Sequence, residues 1–556
     1  MGKWTELILN NFVKGLHTNC AYSDVKYNEA SNLQNVELYP HGVISVRNGY
    51  TSKHETALPT AANWLEQFFT PEGTDFLLAF TPYKSGTTSC AQCWVWRPAT
   101  KTWEEHSPAS SGDWSGERTD LIMTETYEGL IFACNGLNCS LAWDGTLVSN
   151  FEKVAVTSTA GFVHKNGYMV PAKIMKGFKG YLFLAGTEEG GDWKDSRIRW
   201  CDPGDYTSWP AENYVDLDAD DGDYITGMEL LGDELIVFKE RKIYSVVYLG
   251  GQYDFGQELR IDGRGCVAPL SLTSTYNDLV FLAEDGIYAF TGRDIEELSF
   301  NIKDQILSID PTTRYEVQSA PLEEKDQLFF TVPYAPLEND EEPHNKIFVY
   351  DIDKEAWTIH NMKFSALGFY YNVSDMVLAD LPLTWNSYDF AFDDRVVLDA
   401  TSRMIACDWD GYVSDIDDAV AGYSDAATAS AAGSAIESYY ETGWLVMADE
   451  YGRGGPLVDK EVKRITFLLE SQGIVASILN VSLYTDWDED TPTSTFSLTM
   501  GGTGYPQSGT LLEKRLDFRC TARSFKLRWG TDGVNKPWSV HEVRFEFKYK
   551  GTHLRG

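Results

Sequence analysis

Cysteine is scarce in this chain, with nine residues in 556, an odd number. A disulfide framework needs a small, cysteine-dense sequence, so reduced thiols in a cytosolic product are expected. Basic residues are also few: 46 Lys and Arg stand against 83 Asp and Glu, for a net charge of −37. That balance disfavours adhesion to DNA phosphates or anionic lipid, because like charges repel. Long apolar runs are missing at the N-terminus, where Leu7 to Leu9 is too short for a signal-peptide core or a membrane span. Glu6 stands where a myristoylation signal needs Ser or Thr. Neither Sec export nor a lipid anchor is expected. Helical periodicity is nearly absent, and short alternating strands with polar turns point to antiparallel sheet.

What is present is enough apolar material, 43% of residues with 13% aromatic, to bury a core. The length exceeds what one compact core usually supports. A repeat runs from Phe76 to Ile416: an apolar strand, a polar turn, then a second strand with aromatics. It reads FLLAF from Phe76 with WVWRPATKTW to Trp103, GLIFACN from Gly129 with LAWDGT, and GYLFLAG from Gly180 with RIRWCDPGDYTSW to Trp209. It continues with DELIVFKERKIYSVV from Asp233, DLVFLAEDGIYAFTG from Asp278, DQLFFTVPY from Asp326 with KIFVYDIDKEAWTI, and MIACDWDGYVSDI from Met404. Repeats spaced by roughly 45 to 55 residues match four-stranded propeller blades. An all-β fold is expected: a degenerate propeller of six or seven blades over 56–440, followed by a C-terminal β-sandwich over 441–556. Residues 1–55 would form an N-terminal arm with the propeller-closing strand. An insertion is expected near 364–402, and a mobile linker in the Ala/Ser/Gly-rich stretch from Ala419 to Ala435. From Glu441 onward the chain holds 15 acidic and 15 basic residues, so the whole excess charge lies before it.

Motif by motif, the chemistry is thin. Cys90, Cys93, Cys134 and Cys139 lack zinc-ribbon spacing, which leaves buried or loop thiols as the better reading. VDLDADDGDY, with Asp216, Asp218, Asp220 and Asp223, has neither the Gly nor the Glu of a calcium loop at the required places. The sialidase Asp-box is approached only at Ser111 to Gly116, with its Gly displaced. No G-x-S-x-G elbow or H-E-x-x-H pair occurs, and GGTGYPQSG from Gly501 lacks the Lys of a phosphate loop. No catalytic, cofactor or metal residue is expected. Trp103, Trp209 and Trp357 recur at one place in the repeat, as packing residues between neighbouring strands would.

Several segments resemble a known family. NFVKGLHTNCAYSDVKYNEASNLQNVELYPHGVISVRNGY from Asn11, RIRWCDPGDYTSWP from Arg197, ITGMELLGDELIVFKERKIYSV from Ile225 and GRGCVAPLSLTSTYNDLVFLAEDGIYAFTG from Gly263 are similar to segments of phage tail β-propeller proteins. ETGWLVMADEYGRGGPLVDKEVKRITFLLE from Glu441, Tyr484 to Asp486 and the turn at Ala522-Arg523 resemble their C-terminal sandwich. The family is the nozzle, or tail tubular protein B, of short-tailed bacteriophages. The resemblance implies a non-enzymatic virion protein, made in the host cytoplasm. It would form a sixfold ring between a tail adaptor above and fibres or a spike beside or below, and would pass double-stranded DNA without tight binding. The candidate channel-lining acids are Asp216, Asp218, Asp220, Asp221, Asp223, Glu338, Asp340, Glu341, Glu342, Asp415, Asp417 and Asp418. The competing expectations are a receptor- or glycan-binding tail protein on a propeller scaffold and, last, a propeller glycoside hydrolase.

Overall fold

The computed structural model describes the chain apart from residues 1–3, 22–23, 40, 53–55, 86–87, 111–112, 158–166, 251–253, 338–341, 372–401, 417–421, 426–432, 448–454, 457 and 552–556. It is an all-β protein in which, among the described residues, seven four-stranded antiparallel sheets form a propeller beside a two-sheet sandwich. The inner strands of the blades, in chain order, are Trp64–Phe69, Met123–Tyr127, Ala172–Phe178, Ile225–Leu231, Thr273–Ser274, Gln318–Leu322 and Phe364–Tyr371. No helix among the described residues is long and apolar enough to cross a membrane.

Strand alternation builds the ring. In the second strand of the third blade, Tyr181–Glu189, the first eight residues except Glu188 are buried. Successive side chains point to opposite faces. Leu182 and Leu184 therefore enter the core shared with the second blade, while Tyr181, Phe183 and Ala185 enter the core shared with the fourth. The second strand of the first blade, Asp75–Ser85, divides in the same way: Phe76, Leu78 and Phe80 face the second blade, Leu77 and Ala79 the seventh. A strand buried on both faces reads as a continuous apolar run, which is the repeat visible in the sequence. Two-residue turns fix the inner hairpins. Glu128-Gly129 and Lys179-Gly180 have positive φ at both positions, the pattern whose twist matches paired strands.

The seventh blade takes Phe364–Tyr371, Ser402–Asp408 and Val413–Asp415 from late in the chain and its outer strand, Thr51–Ser52, from the N-terminal segment. Phe364–Tyr371 is thus a propeller strand, whereas residues 372–401 of the expected insertion lie outside the described residues. Within the expected linker, Ser424–Asp425 pairs with Ser434–Ala435.

The sandwich draws on both chain ends. One sheet runs Val36–Leu38, Ile44–Val46, Ser539–Gly551, Asp459–Glu470, Leu511–Ala522, with Thr5–Leu9 also pairing Ser539–Gly551. The other runs Ala30–Gln34, Ser438–Thr442, Phe525–Thr531, Ile478–Thr485, Ser494–Thr499. Four strands of the sandwich therefore come from the first fifty residues. Phe12 is fully buried against Tyr440 and Trp529, its ring centroid 5.4 and 5.7 Å from theirs. The same core reaches Phe330, Tyr350 and Trp357 of the sixth blade, so propeller and sandwich share one apolar interior.

Arg47 fastens this junction. Its guanidinium donates to both carboxylate oxygens of Asp425, at 2.8 and 2.6 Å, and to Asn35 Oδ1 at 3.0 Å, with both ion-pair side chains nearly buried. Removing one partner of a buried pair leaves the other charge without compensation. Asp425→Ala is expected to cost roughly 3–5 kcal/mol, read as a lowered midpoint of chemical unfolding.

His360, at the end of the sixth blade, is buried under Val36 of the sandwich, and its Nε2 lies 3.3 Å from the Val36 carbonyl. Burial, with Arg47 adding to it, pushes the imidazole down to about 3 from its ordinary 6.5. The unfolded chain then binds the proton first, so this contribution is complete above pH 6.5 and lost as pH falls from 6.5 toward 3. The melting temperature should decline over that interval, and His360→Gln should flatten part of the decline.

Candidate functional site: an axial cavity with a carboxylate wall

The seven inner strands surround a cavity of about 510 Å³ on the propeller axis. Its lining is lopsided. The first four blades contribute Glu66, Glu125, Lys176 and Glu229, whereas the fifth to seventh contribute mainly Leu272, Pro321, Leu367 and Phe369, with Leu270 beside them and Glu323 at the sixth-blade turn. Gly368 allows the last inner strand to close on the first, since a Cβ there would stand 2.8 Å from Leu65 Cβ.

Residues two apart on a strand share a face, so Trp64 and Glu66 stand side by side. Trp64 Nε1 donates to Glu66 Oε2 at 3.2 Å, and Thr124 Oγ1, from the second blade, donates to the same oxygen at 2.8 Å. Farther round, Lys176 Nζ bridges two carboxylates, 2.9 Å from Glu229 and 3.5 Å from Glu125. The Gly177 N–H donates to Glu125 Oε1 at 3.1 Å. Side-chain exposures of 17% for Glu125, 20% for Lys176 and 24% for Glu229 mean that each group shows one face to the cavity while protein surrounds the rest.

Burial dominates the electrostatics of this wall. It pushes Glu66 above the usual carboxylate range, against the hydrogen bonds from Thr124 and Trp64. It pushes Glu125 up as well, against the attraction of Lys176. At Lys176 burial opposes the charge, but Glu229 and Glu125 outweigh it and the ammonium is held more firmly than usual. A carboxyl biased to its protonated form thus shares a cavity with an ion-paired carboxylate. That combination can donate a proton at one point and stabilise positive charge at another.

At the end of the axis where the inner strands begin, the connection between the first two blades reaches across the seventh blade to the sixth. Arg118 pairs with Glu316 there, Asn63 Nδ2 donates to the Arg118 carbonyl at 3.1 Å, and Gln318 Nε2 donates to the Asn63 carbonyl at 3.0 Å. His344 is buried beside this brace, its imidazole pushed down to about 4 by burial and then by Arg118.

The acids singled out from the sequence lie elsewhere. Asp216 is gripped by Arg197 at 2.6 and 2.8 Å at the outer edge of the third blade. Asp218 and Asp221 bind Lys242 at 2.8 and 2.9 Å, and Asp221 also binds the fully buried Lys239 at 2.8 Å. Burial works against the Asp221 charge, yet the two lysines hold its carboxyl far below the usual range. Asp223 accepts the Glu240 and Arg241 N–H groups, and Asp220 is exposed. The stretch is a folded clasp between the third and fourth blades. Glu342 is exposed, and Asp415 is half-buried, 4.0 Å from Arg403. Glu338, Asp340, Glu341, Asp417 and Asp418 lie outside the described residues. None of the described acids of this set lines the axial cavity. Among the described residues no three His, Cys, Asp or Glu side chains are grouped to hold a metal ion.

The apolar repeat legible in the sequence begins at the second strand of each blade, so the cavity residues fall in the strand before it. A charged residue inside the short strand before each unit, as in WLEQFF, MTETY, AKIMKGF and ITGMELL, was the available signal.

No family model matches the chain, and no curated protein matches it. Among solved structures it is similar to an exo-β-1,3-galactanase from Phanerochaete chrysosporium, determined with galactose, at 7% identity over 90% of this chain and 100% of that one, TM-score 0.26. It is similar to an α-L-arabinanase from Penicillium chrysogenum complexed with arabinobiose, at 10% identity over 67% and 97%, TM-score 0.29. It is also similar to the GH93 α-L-arabinofuranosidase of Fusarium graminearum, at 13% identity over 52% and 93%, TM-score 0.30. These are sugar-cleaving enzymes, not tail proteins. They stand against the expectation of a non-enzymatic phage nozzle and of a chain that is not an enzyme.

Glu66 offers a test of the electrostatics alone. Its carboxyl is raised in the folded state, so the folded chain binds the proton more tightly and stability falls as pH rises above 4.5. Glu66→Gln copies the protonated group. Its thermal stability relative to the natural chain should grow as pH rises above 4.5 and the gain should vanish below it.

Proposed function

We propose that the axial cavity acts on a neutral glycan, cleaving a glycosidic bond with Glu66 as general acid and the Lys176-paired Glu229 as the opposing carboxylate. The observation that supports this most is the division of labour along one wall: a carboxyl biased to its protonated form on the first blade, and a carboxylate salt-bridged at 2.9 Å on the fourth. Glycoside hydrolysis requires such a pair, one group to protonate the leaving oxygen and one to attack the anomeric carbon or activate water. In the proposed step the Glu66 proton passes to the leaving sugar oxygen as the C–O bond breaks, water adds its hydroxyl to the anomeric carbon and gives its proton to Glu229, and proton exchange with solvent restores Glu66 and Glu229. The apolar wall of Leu270, Pro321 and Phe369 would take the C–H faces of the sugar, and the excess of carboxylates would repel an acidic one.

The test is release of reducing ends from arabino-, galacto- and gluco-oligosaccharides by the purified protein. Turnover should fall at least about 100-fold in Glu66→Gln and in Glu229→Gln, since general acid–base groups contribute roughly 10²–10⁴-fold. It should also decline as pH rises and Glu66 loses its proton. No turnover across the panel, or turnover that survives both substitutions, would remove this reading.

A further inference from the structure

A second concavity lies on the sandwich, at the end where three of its connections gather. Residues 471–477 join Asp459–Glu470 to Ile478–Thr485, residues 500–510 join Ser494–Thr499 to Leu511–Ala522, and residues 532–538 join Phe525–Thr531 to Ser539–Gly551. Together with Gly422 and Tyr423 they enclose about 640 Å³. That is within the roughly 300–1,000 Å³ typical of small-molecule sites.

The chemistry of the lining is unusual for a chain of net charge −37. Among the described residues no Asp, Glu, Lys or Arg lines the groove, which presents Tyr423, Tyr505, Gln472, Gln507 and Asn535 over Pro506 and Pro537. Aromatic and proline faces suit the C–H faces of a ring, and carboxamides offer donor and acceptor together, as hydroxyl groups require. The Gln507 side chain is exposed and has no hydrogen-bond partner among the described residues.

The loops are also held in place. Gln472 N–H donates to the Met500 carbonyl at 3.0 Å, and Gly502 N–H to the Gly473 carbonyl at 2.9 Å. Ser471 Oγ donates to the Pro506 carbonyl at 2.8 Å and Ser477 Oγ to the Pro537 carbonyl at 2.6 Å. Tyr423 and Asn535 exchange two bonds at 3.2 and 3.3 Å. Gly501 permits the close approach of two loops, since a Cβ there would lie 2.1 Å from the Val475 carbonyl oxygen. Lys514, outside the lining, anchors Tyr505 by donating to its hydroxyl at 3.1 Å. The Gly-rich run GGTGYPQSG, which lacks the lysine of a phosphate loop, thus forms one side of an uncharged, preorganised groove.

We propose that this groove is a binding site for a neutral oligosaccharide, separate from the axial cavity and without catalytic function. The test is calorimetric titration of the full chain with maltohexaose, cellohexaose and laminarihexaose, with hexagalacturonate as the charged counterpart. At least one neutral hexasaccharide should bind, and hexagalacturonate should bind at least tenfold more weakly. Tyr505→Ala or the exposed Gln507→Ala, with melting temperature unchanged, should weaken that binding at least tenfold. Glu66→Gln should bind as the natural chain does, so the groove stands or falls apart from the axial site. Absence of binding to all three neutral sugars, equal binding of hexagalacturonate, or full binding by both groove variants would overturn the assignment.

Discussion

Two edges of this protein must find strand partners, and one short segment near the N-terminus supplies both. Ile44 pairs with Val540 in the sandwich, and seven residues later Thr51 pairs with Asp415 to complete the seventh blade. An unpaired sheet edge leaves a row of backbone donors and acceptors unsatisfied. Neither body is complete until residues from the start of the chain have joined residues from its end. Arg47 lies between the two pairings and is bound to Asp425 and Asn35, so the crossing point is an electrostatic anchor as well as a change of sheet.

From that constraint follows a fixed relation between propeller and sandwich. Leu16 N–H donates to the Trp357 carbonyl at 2.8 Å, and at Gly15, with φ of +59°, a Cβ would stand 2.5 Å from the same oxygen. Only glycine fits so close a passage. The apolar interior that continues from Trp357 and Phe330 to Phe12, Tyr440 and Trp529 then removes the junction from water. A propeller clamped in this way keeps its inner strands in register around the axis, which the placement of Glu66, Glu125, Lys176 and Glu229 on four different blades depends upon.

The distribution of charge has a physical logic that the total conceals. Acids at the outer edges, such as Asp216 and Asp221, are neutralised by Arg197, Lys239 and Lys242 and hold neighbouring strands together. On the axis, Glu125 and Glu229 share Lys176 while Glu66 has only neutral hydrogen-bond donors, and burial favours protonation of Glu66 and Glu125. Among the described residues the sandwich groove is lined by uncharged side chains, with Lys514 behind Tyr505. Three sites in one acidic chain therefore present three different electrostatic characters.

The sequence by itself determined the all-β class and the repeating hairpin. A strand buried on both faces must be apolar throughout, and runs such as YLFLAG and ELIVFK are that requirement written out. Trp209 and Trp357 were legible as packing residues for the same reason and are buried. Tertiary structure decided the blade number, because the seventh blade borrows Thr51–Ser52 across more than 350 residues and no local pattern announces so distant a partner. It decided the composition of the sandwich, since Ala30–Gln34 and Val36–Leu38 look like any short strands until Ser438–Thr442 and Ile44–Val46 pair with them. It decided the site as well. Each axial residue lies some fifty residues from the next, on an inner strand too short and mixed to stand out, and only closure of the ring turns four scattered polar residues into one wall.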